Sequence, residues 1–208
     1  MGRVGRVRLW VAVATGLYLV AVVEARQSDR RTLRQQVVEC QCSVNVNLIG
    51  GHPLTPFSAL LDATELIVRA RVGEAVSRLT DDENDIFTTY DLIQPQVLFR
   101  LKPPPDLAND SSSEIKVELH GGLVQLMGFT AGVGDHDYPP LRFGDEVILC
   151  LRTQGDHYRL AMFGGAFGVA NNRIQLIGEG PNGRELFAGR DAQVFAAELA
   201  AWRRERIK

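Results

Sequence analysis

The residues best equipped for chemistry lie in one short run, Gly134-Asp135-His136-Asp137-Tyr138-Pro139-Pro140. Two carboxylates flank an imidazole there, and oxygen and nitrogen donors of this kind hold divalent metals. On that basis Asp135, His136 and Asp137 support a metal-assisted hydrolase as the alternative function. Sequence neighbours rarely all face one ion, however, and no histidine or glutamate follows at a fixed ligand offset. The run therefore reads first as a solvated loop, with Asp135, His136, Asp137 and Tyr138 as candidate contacts to a partner. His120, just before Gly121-Gly122, is the residue elsewhere that the fold could bring to it.

The three cysteines are Cys40, Cys42 and Cys150. In an oxidising compartment, Cys40 or Cys42 bridging to Cys150 closes a long loop and stabilises by about 4 kcal/mol in the chain-entropy picture. Free buried thiols are the other reading. Zinc is disfavoured, because no second ligand pair of suitable spacing follows Cys40-Gln41-Cys42.

Other chemistry finds no motif. A Gly-x-Ser-x-Gly nucleophile turn is absent from the sequence. Gly164-Gly165-Ala166-Phe167-Gly168 lacks the lysine and hydroxyl residue of a phosphate loop and reads as a place of close backbone packing. His157 reads as the first residue of a strand. Asn109-Asp110-Ser111 fits a glycosylation acceptor. No catalytic residue, metal or cofactor is assigned, and the chain is not expected to be an enzyme.

The elements that must position these residues begin with a targeting signal. Arg3, Arg6 and Arg8 precede an apolar run over 9–23, and Val23-Glu24-Ala25 offers a cleavage site. About 20 apolar residues are needed to span a bilayer, so a cleaved signal over 1–25 is favoured over a retained anchor at 9–23. Export to a secreted or periplasmic location follows, with membrane contact only if the segment is kept. Those arginines against Glu24 give the segment +2, leaving −4 for the remainder of a chain whose net charge is −2. That balance excludes a nucleic-acid partner, which requires a basic surface.

Residues 26–39 read as a polar, flexible or loosely helical lead-in, and 40–208 as one domain. Gly50-Gly51-His52-Pro53 marks a turn. Thr55 and Pro56 start a short helix to Ala63. Strands are expected at 66–72, 86–101 with a bulge or edge at Pro95, 115–119 ending at Gly121-Gly122, 147–151, 158–162 and 174–177. The acidic run 80–85 and the proline-rich 103–113 read as loops, and 128–140 as a glycine-rich connection. A C-terminal helix over 191–206 takes Asp191 as its cap and places Phe195, Leu199 and Trp202 on one face. Short strands and turns at this spacing predict a mostly β barrel or sandwich.

Three segments resemble the inhibitory domain of the tissue inhibitors of metalloproteinases and the wider netrin-like group. Cys40-Gln41-Cys42 is similar to their opening Cys-x-Cys. Glu65-Leu66-Ile67-Val68-Arg69-Ala70-Arg71-Val72 looks like their first strand. Asp145-Glu146-Val147-Ile148-Leu149, with the hairpin through Gly155 to Met162, looks like a later strand pair. The layout, including Phe143-Gly144-Asp145-Glu146, also resembles a group of uncharacterised exported bacterial proteins. The resemblance covers 40–177 and implies an OB-like closed five-stranded barrel. In the inhibitors the first cysteine is the mature N-terminus, and its amine and carbonyl chelate the protease zinc. Cleavage after Ala25 leaves Cys40 inside the chain. The expectation is an exported, non-catalytic module that binds another protein, in the manner of a protease inhibitor.

Overall fold

Two helix caps and a set of apolar strands set the frame. The computed structural model describes residues 31–48, 55–101, 115–135 and 140–207. The expected signal segment, the 50–53 turn, the proline-rich loop with its glycosylation acceptor, and His136, Asp137 and Tyr138 all lie outside the described residues.

Helix α1, Leu33–Cys40, starts where Thr32 accepts from the Gln35 amide and the Gln35 side chain accepts from the Thr32 amide. This reciprocal cap satisfies two N-terminal donors that the helix cannot bond internally. Leu33 and Val37 are both buried, so the described part of the polar lead-in is an ordered amphipathic helix. Helix α2, Phe57–Ala63, begins one residue later than the sequence suggests. Pro56 is its cap, and Thr55 bonds instead to the backbone at Asn182.

The strands are β1 (Val44–Leu48), β2 (Leu66–Leu79), β3 (Ile86–Arg100), β4 (Ile115–His120), β5 (Gly122–Leu126), β6 (Phe129–Asp135), β7 (Glu146–Gln154), β8 (His157–Leu160), β9 (Ala166–Ala170) and β10 (Arg173–Leu176). The larger sheet has seven strands in the order β10-β9-β7-β2-β3-β4-β8, and β8 also pairs with β7. Strands β7, β2, β3, β4 and β8 therefore pair in a ring. The ring is antiparallel except at β4–β8, where a single parallel pair, Val117 with Tyr158, joins the two.

Burial explains the apolar runs. Along β2, Leu66, Val68, Ala70 and Val72 fall inside the ring while Ile67 packs outward under the helices; on β7, Val147, Leu149 and Leu151 point in while Ile148 and Cys150 point out. Strands buried on both faces lose the usual alternation of apolar and polar residues. Opposite Ala70, Gln94 and Pro95 bulge from β3, with Gln94 at φ 51°, so Pro95 owes no hydrogen bond to the ladder.

The outer core lies between this sheet and α3, Ala192–Glu205, whose cap Asp191 accepts from the amides of Gln193 and Val194. Phe195 and Leu199 are fully buried, and Phe195 stacks 5.0 Å from Phe167 and 5.1 Å from Phe187. Arg203, read from the sequence as one of the basic residues at the helix end, turns inward and donates to the Thr64 carbonyl at 2.7 Å.

A second, three-stranded sheet has the order β1-β6-β5, with β1 parallel to β6. Its strands occupy segments that the sequence reads as the cysteine region, a glycine stop and a glycine-rich connection. Helix α1 seats Leu33 and Val37 against Ile86, Leu126, Ala131 and Val133. Among the described residues no helix is long and apolar enough to cross a membrane.

Candidate functional site

The two sheets leave an open cleft of about 400 Å³ between them. Strands β2 and β3 supply Ala75, Ser77, Thr88 and Tyr90 on one side; β6 supplies Val133, Gly134 and Asp135 on the other. The β4–β5 junction closes one end with His120, Gly121 and Gly122, while Leu123, at 65% exposure, marks the rim.

Glycine is required at this junction. A Cβ on Gly121 would sit 2.8 Å from the Val133 carbonyl oxygen, and one on Gly122 would sit 2.2 Å from Thr88 Oγ1. Gly122 also has φ +141°, which side-chain-bearing residues rarely adopt. The pair lets the chain leave β4 and cross directly over β3, and this close crossing forms the end of the cleft.

Hydroxyls inside the cleft form a closed relay. Thr88 Oγ1 donates to the Gly121 carbonyl at 2.7 Å, which leaves the Ser77 hydroxyl to donate to Thr88 at 2.8 Å. Ser77 is thus oriented toward a neutral acceptor rather than toward a base.

His120 is gripped from both sides. Its Nδ1 lies 2.7 Å from Asp135 Oδ2 and its Nε2 lies 2.6 Å from Asp85 Oδ1. Asp85 is fixed by the β2–β3 turn, where its backbone N–H donates to Thr80 Oγ1 and its carbonyl accepts from the Thr80 amide. Burial works against a charge on the ring, but the hydrogen bonds and charges of Asp135 and Asp85 outweigh it and raise the His120 pKa above the ordinary histidine value. A protonated ring donates to both carboxylates and has no lone pair left for a metal or for accepting a substrate proton.

A second polar cluster lies at the β4–β8 seam. Glu118 is buried, with its side chain 1% exposed, and accepts from Arg78 at 2.5 Å and from both Arg159 Nε, at 3.1 Å, and Arg159 Nη2. His157 Nε2 lies 3.2 Å from the same carboxylate without the alignment of a hydrogen bond. Burial would raise the Glu118 pKa, but the hydrogen bonds from Arg78 and Arg159 and the nearby positive charges hold it below the ordinary glutamate value. Arg78 belongs to β2 and Arg159 to β8, so this carboxylate ties together strands that share little ladder.

The candidate residues thus separate. Asp135 ends β6 with its side chain only 11% exposed, and joins His120 as the sequence allowed. The expected bridge to Cys150 is not made. Cys40 and Cys42 bond to each other, and Cys150 is a free, buried thiol. The reason is placement: Cys150 lies in the outer core beneath α3, whereas Cys40 and Cys42 sit exposed beside the small sheet. Burial pushes the Cys150 thiol up to about 12, so it is inert at neutral pH.

Asp85, Ser77, Thr88 and Glu118 carry no motif in the sequence. Nothing in the sequence marks Glu118, because it alternates with Val117 and Leu119 as an outward-facing residue does. Among the described residues no group of three histidine, cysteine or acidic side chains is arranged to hold a metal ion. Comparison with protein-family models, with curated proteins and with solved structures finds no match to this chain.

Proposed function

We propose that the chain is an exported, non-catalytic binding module that receives a short apolar segment of another protein in the cleft between its two sheets. The observation that carries this reading is the cleft itself. It has a volume in the range of ligand pockets, small residues and backbone along its walls, and one fixed polar end. His120 supports binding over catalysis, because both ring nitrogens are engaged by carboxylates, at 2.7 and 2.6 Å, and neither is free to shuttle a substrate proton. Apolar walls, with the half-buried backbone of Gly122 and Gly134 among them, suit an extended peptide.

In this reading the ring of five strands is an OB-like barrel of netrin-like type. Its strand order, with one parallel contact between β4 and β8, supports that layout. A protease-inhibitor-like role is retained only as capture of a partner through the cleft. Chelation by a free Cys40 amine finds no support, since Leu33 and Val37 precede Cys40 and fill the core. The metal-hydrolase alternative is likewise weakened, because His120 engages the Asp135 carboxylate.

The test is capture of a partner from the compartment in which the protein resides, comparing wild type with Ala75→Phe. Ala75 is exposed and lines the cleft, so phenylalanine fills it without entering the core. Wild type is expected to retain a partner that the folded Ala75→Phe variant loses. Equal capture by both, or no capture by wild type, would overturn the proposal.

A further inference from the structure

Cys40 ends α1 and Cys42 follows two residues later, with Gln41 between them in the left-handed conformation at φ 49° and ψ 44°. Their sulfurs are bonded, and both residues are exposed. A bridge stabilises a fold chiefly by restricting the unfolded chain, and its effect grows with the length of loop closed. This one closes a loop of sequence separation 2, among the shortest a bridge can close.

Each flanking element is also held without it. The amide of Leu33 donates to the Glu83 carbonyl at 2.9 Å, Arg34 pairs with Glu83, and Leu33 and Val37 are in the core. Strand β1 is held along its length by β6. The remaining thiol, Cys150, is sealed in the interior and cannot reach the bridge. A solvent-facing disulfide that the fold does not need, and that no internal thiol can attack, is open only to thiols from outside.

We propose that Cys40–Cys42 is a thiol–disulfide exchange site that accepts two electrons from a dithiol on another polypeptide. The helix end sets the direction of attack. Cys40 Sγ lies 3.8 Å from the Val37 carbonyl oxygen and 3.4 Å from that of Cys42. The Val37 oxygen belongs to the last turn of α1 and the Cys42 oxygen lies just beyond the helix; both disfavour a thiolate on Cys40, so Cys42 is the better leaving group. The incoming thiolate attacks Cys40 Sγ, the Cys40–Cys42 bond breaks, and its electron pair leaves on Cys42, which takes up a proton. The second thiolate of the partner then attacks the partner's own sulfur in the mixed disulfide. Cys40 departs with the electron pair and is protonated. One partner dithiol becomes a disulfide, and one Cys40–Cys42 disulfide becomes a dithiol, with two protons transferred and no other reactant.

The experiment mixes the oxidised full chain with a reduced synthetic peptide carrying two cysteines, quenches with acid, alkylates and maps the products by mass. Wild type and Cys150→Ala are expected to oxidise about one peptide per chain, with the trapped adduct on Cys40, while Cys42→Ser oxidises none. Reduction of wild type is expected to lower Tm by no more than about 6 °C. A bridge that persists in excess peptide and dithiothreitol would overturn the proposal. So would a reduced chain in which α1 unfolds and Tm falls much further, since the bridge would then be a structural staple.

Discussion

His120 shows how a single side chain can set the pH response of the molecule. Its pKa is raised in the folded state above the 6.5 of an unperturbed imidazole. A raised folded pKa means the clamp stabilises fully below the unfolded value and loses that contribution as pH rises through the folded value. Urea denaturation of wild type should therefore show stability falling as pH increases above 6.5. His120→Asn should lack that dependence and be less stable by about 2 kcal/mol at mildly acidic pH, given typical energies of charge-assisted hydrogen bonds. Parallel pH profiles for the two proteins would contradict the clamp. In the sequence His120 and Asp135 both stand out as polar residues near glycines, yet their pairing depends on β5 and β6 folding back beside β4. Asp85 is harder still to find. It closes a run of acidic residues whose ordinary place is solvent, and only the tight Thr80–Asp85 turn directs it inward.

At the scale of elements, the weak point is the β4–β8 seam and its fastening is Glu118. Glu118→Gln should cost about 3 kcal/mol in equilibrium denaturation, the lower end for breaking a buried ion pair, because Arg78 and Arg159 retain access to water. The Glu118 pKa is lowered in the fold, so its contribution is present above the unfolded glutamate value and is lost as pH falls through the folded one. The variant should show a shallower acid-denaturation limb than wild type. At the other end of the chain, Asp191→Ala removes the cap of α3 and should cost about 1 kcal/mol by the same measurement.

These elements differ in how plainly the sequence announces them. Asp191, Phe195 and Leu199 define α3 by cap and period, and Ile115, Val117 and Leu119 define β4 by alternation. The small sheet is obscured, because β5 and β6 contain glycines that weaken any strand pattern and derive their order from α1 and each other. Strand β1 does alternate valine with asparagine, but over too short a span beside the cysteines to announce a strand. Glu118 alternates as a solvent-facing residue should, and is buried only because β8 and β2 bring arginines to it.

At the scale of the whole molecule, the ring of strands and the small sheet capped by α1 leave between them a cleft whose walls come from distant parts of the chain. Its position between sheets explains why no local motif announces it. Site-specific photo-crosslinking tests whether a partner occupies it. A photoreactive residue is placed at Leu123 on the cleft rim and, separately, at Val194, which is 53% exposed on α3. In the native compartment, the Leu123 position should give a discrete protein adduct and the Val194 position none. Equal labelling from both positions, or labelling from Val194 alone, would contradict a partner seated in the cleft.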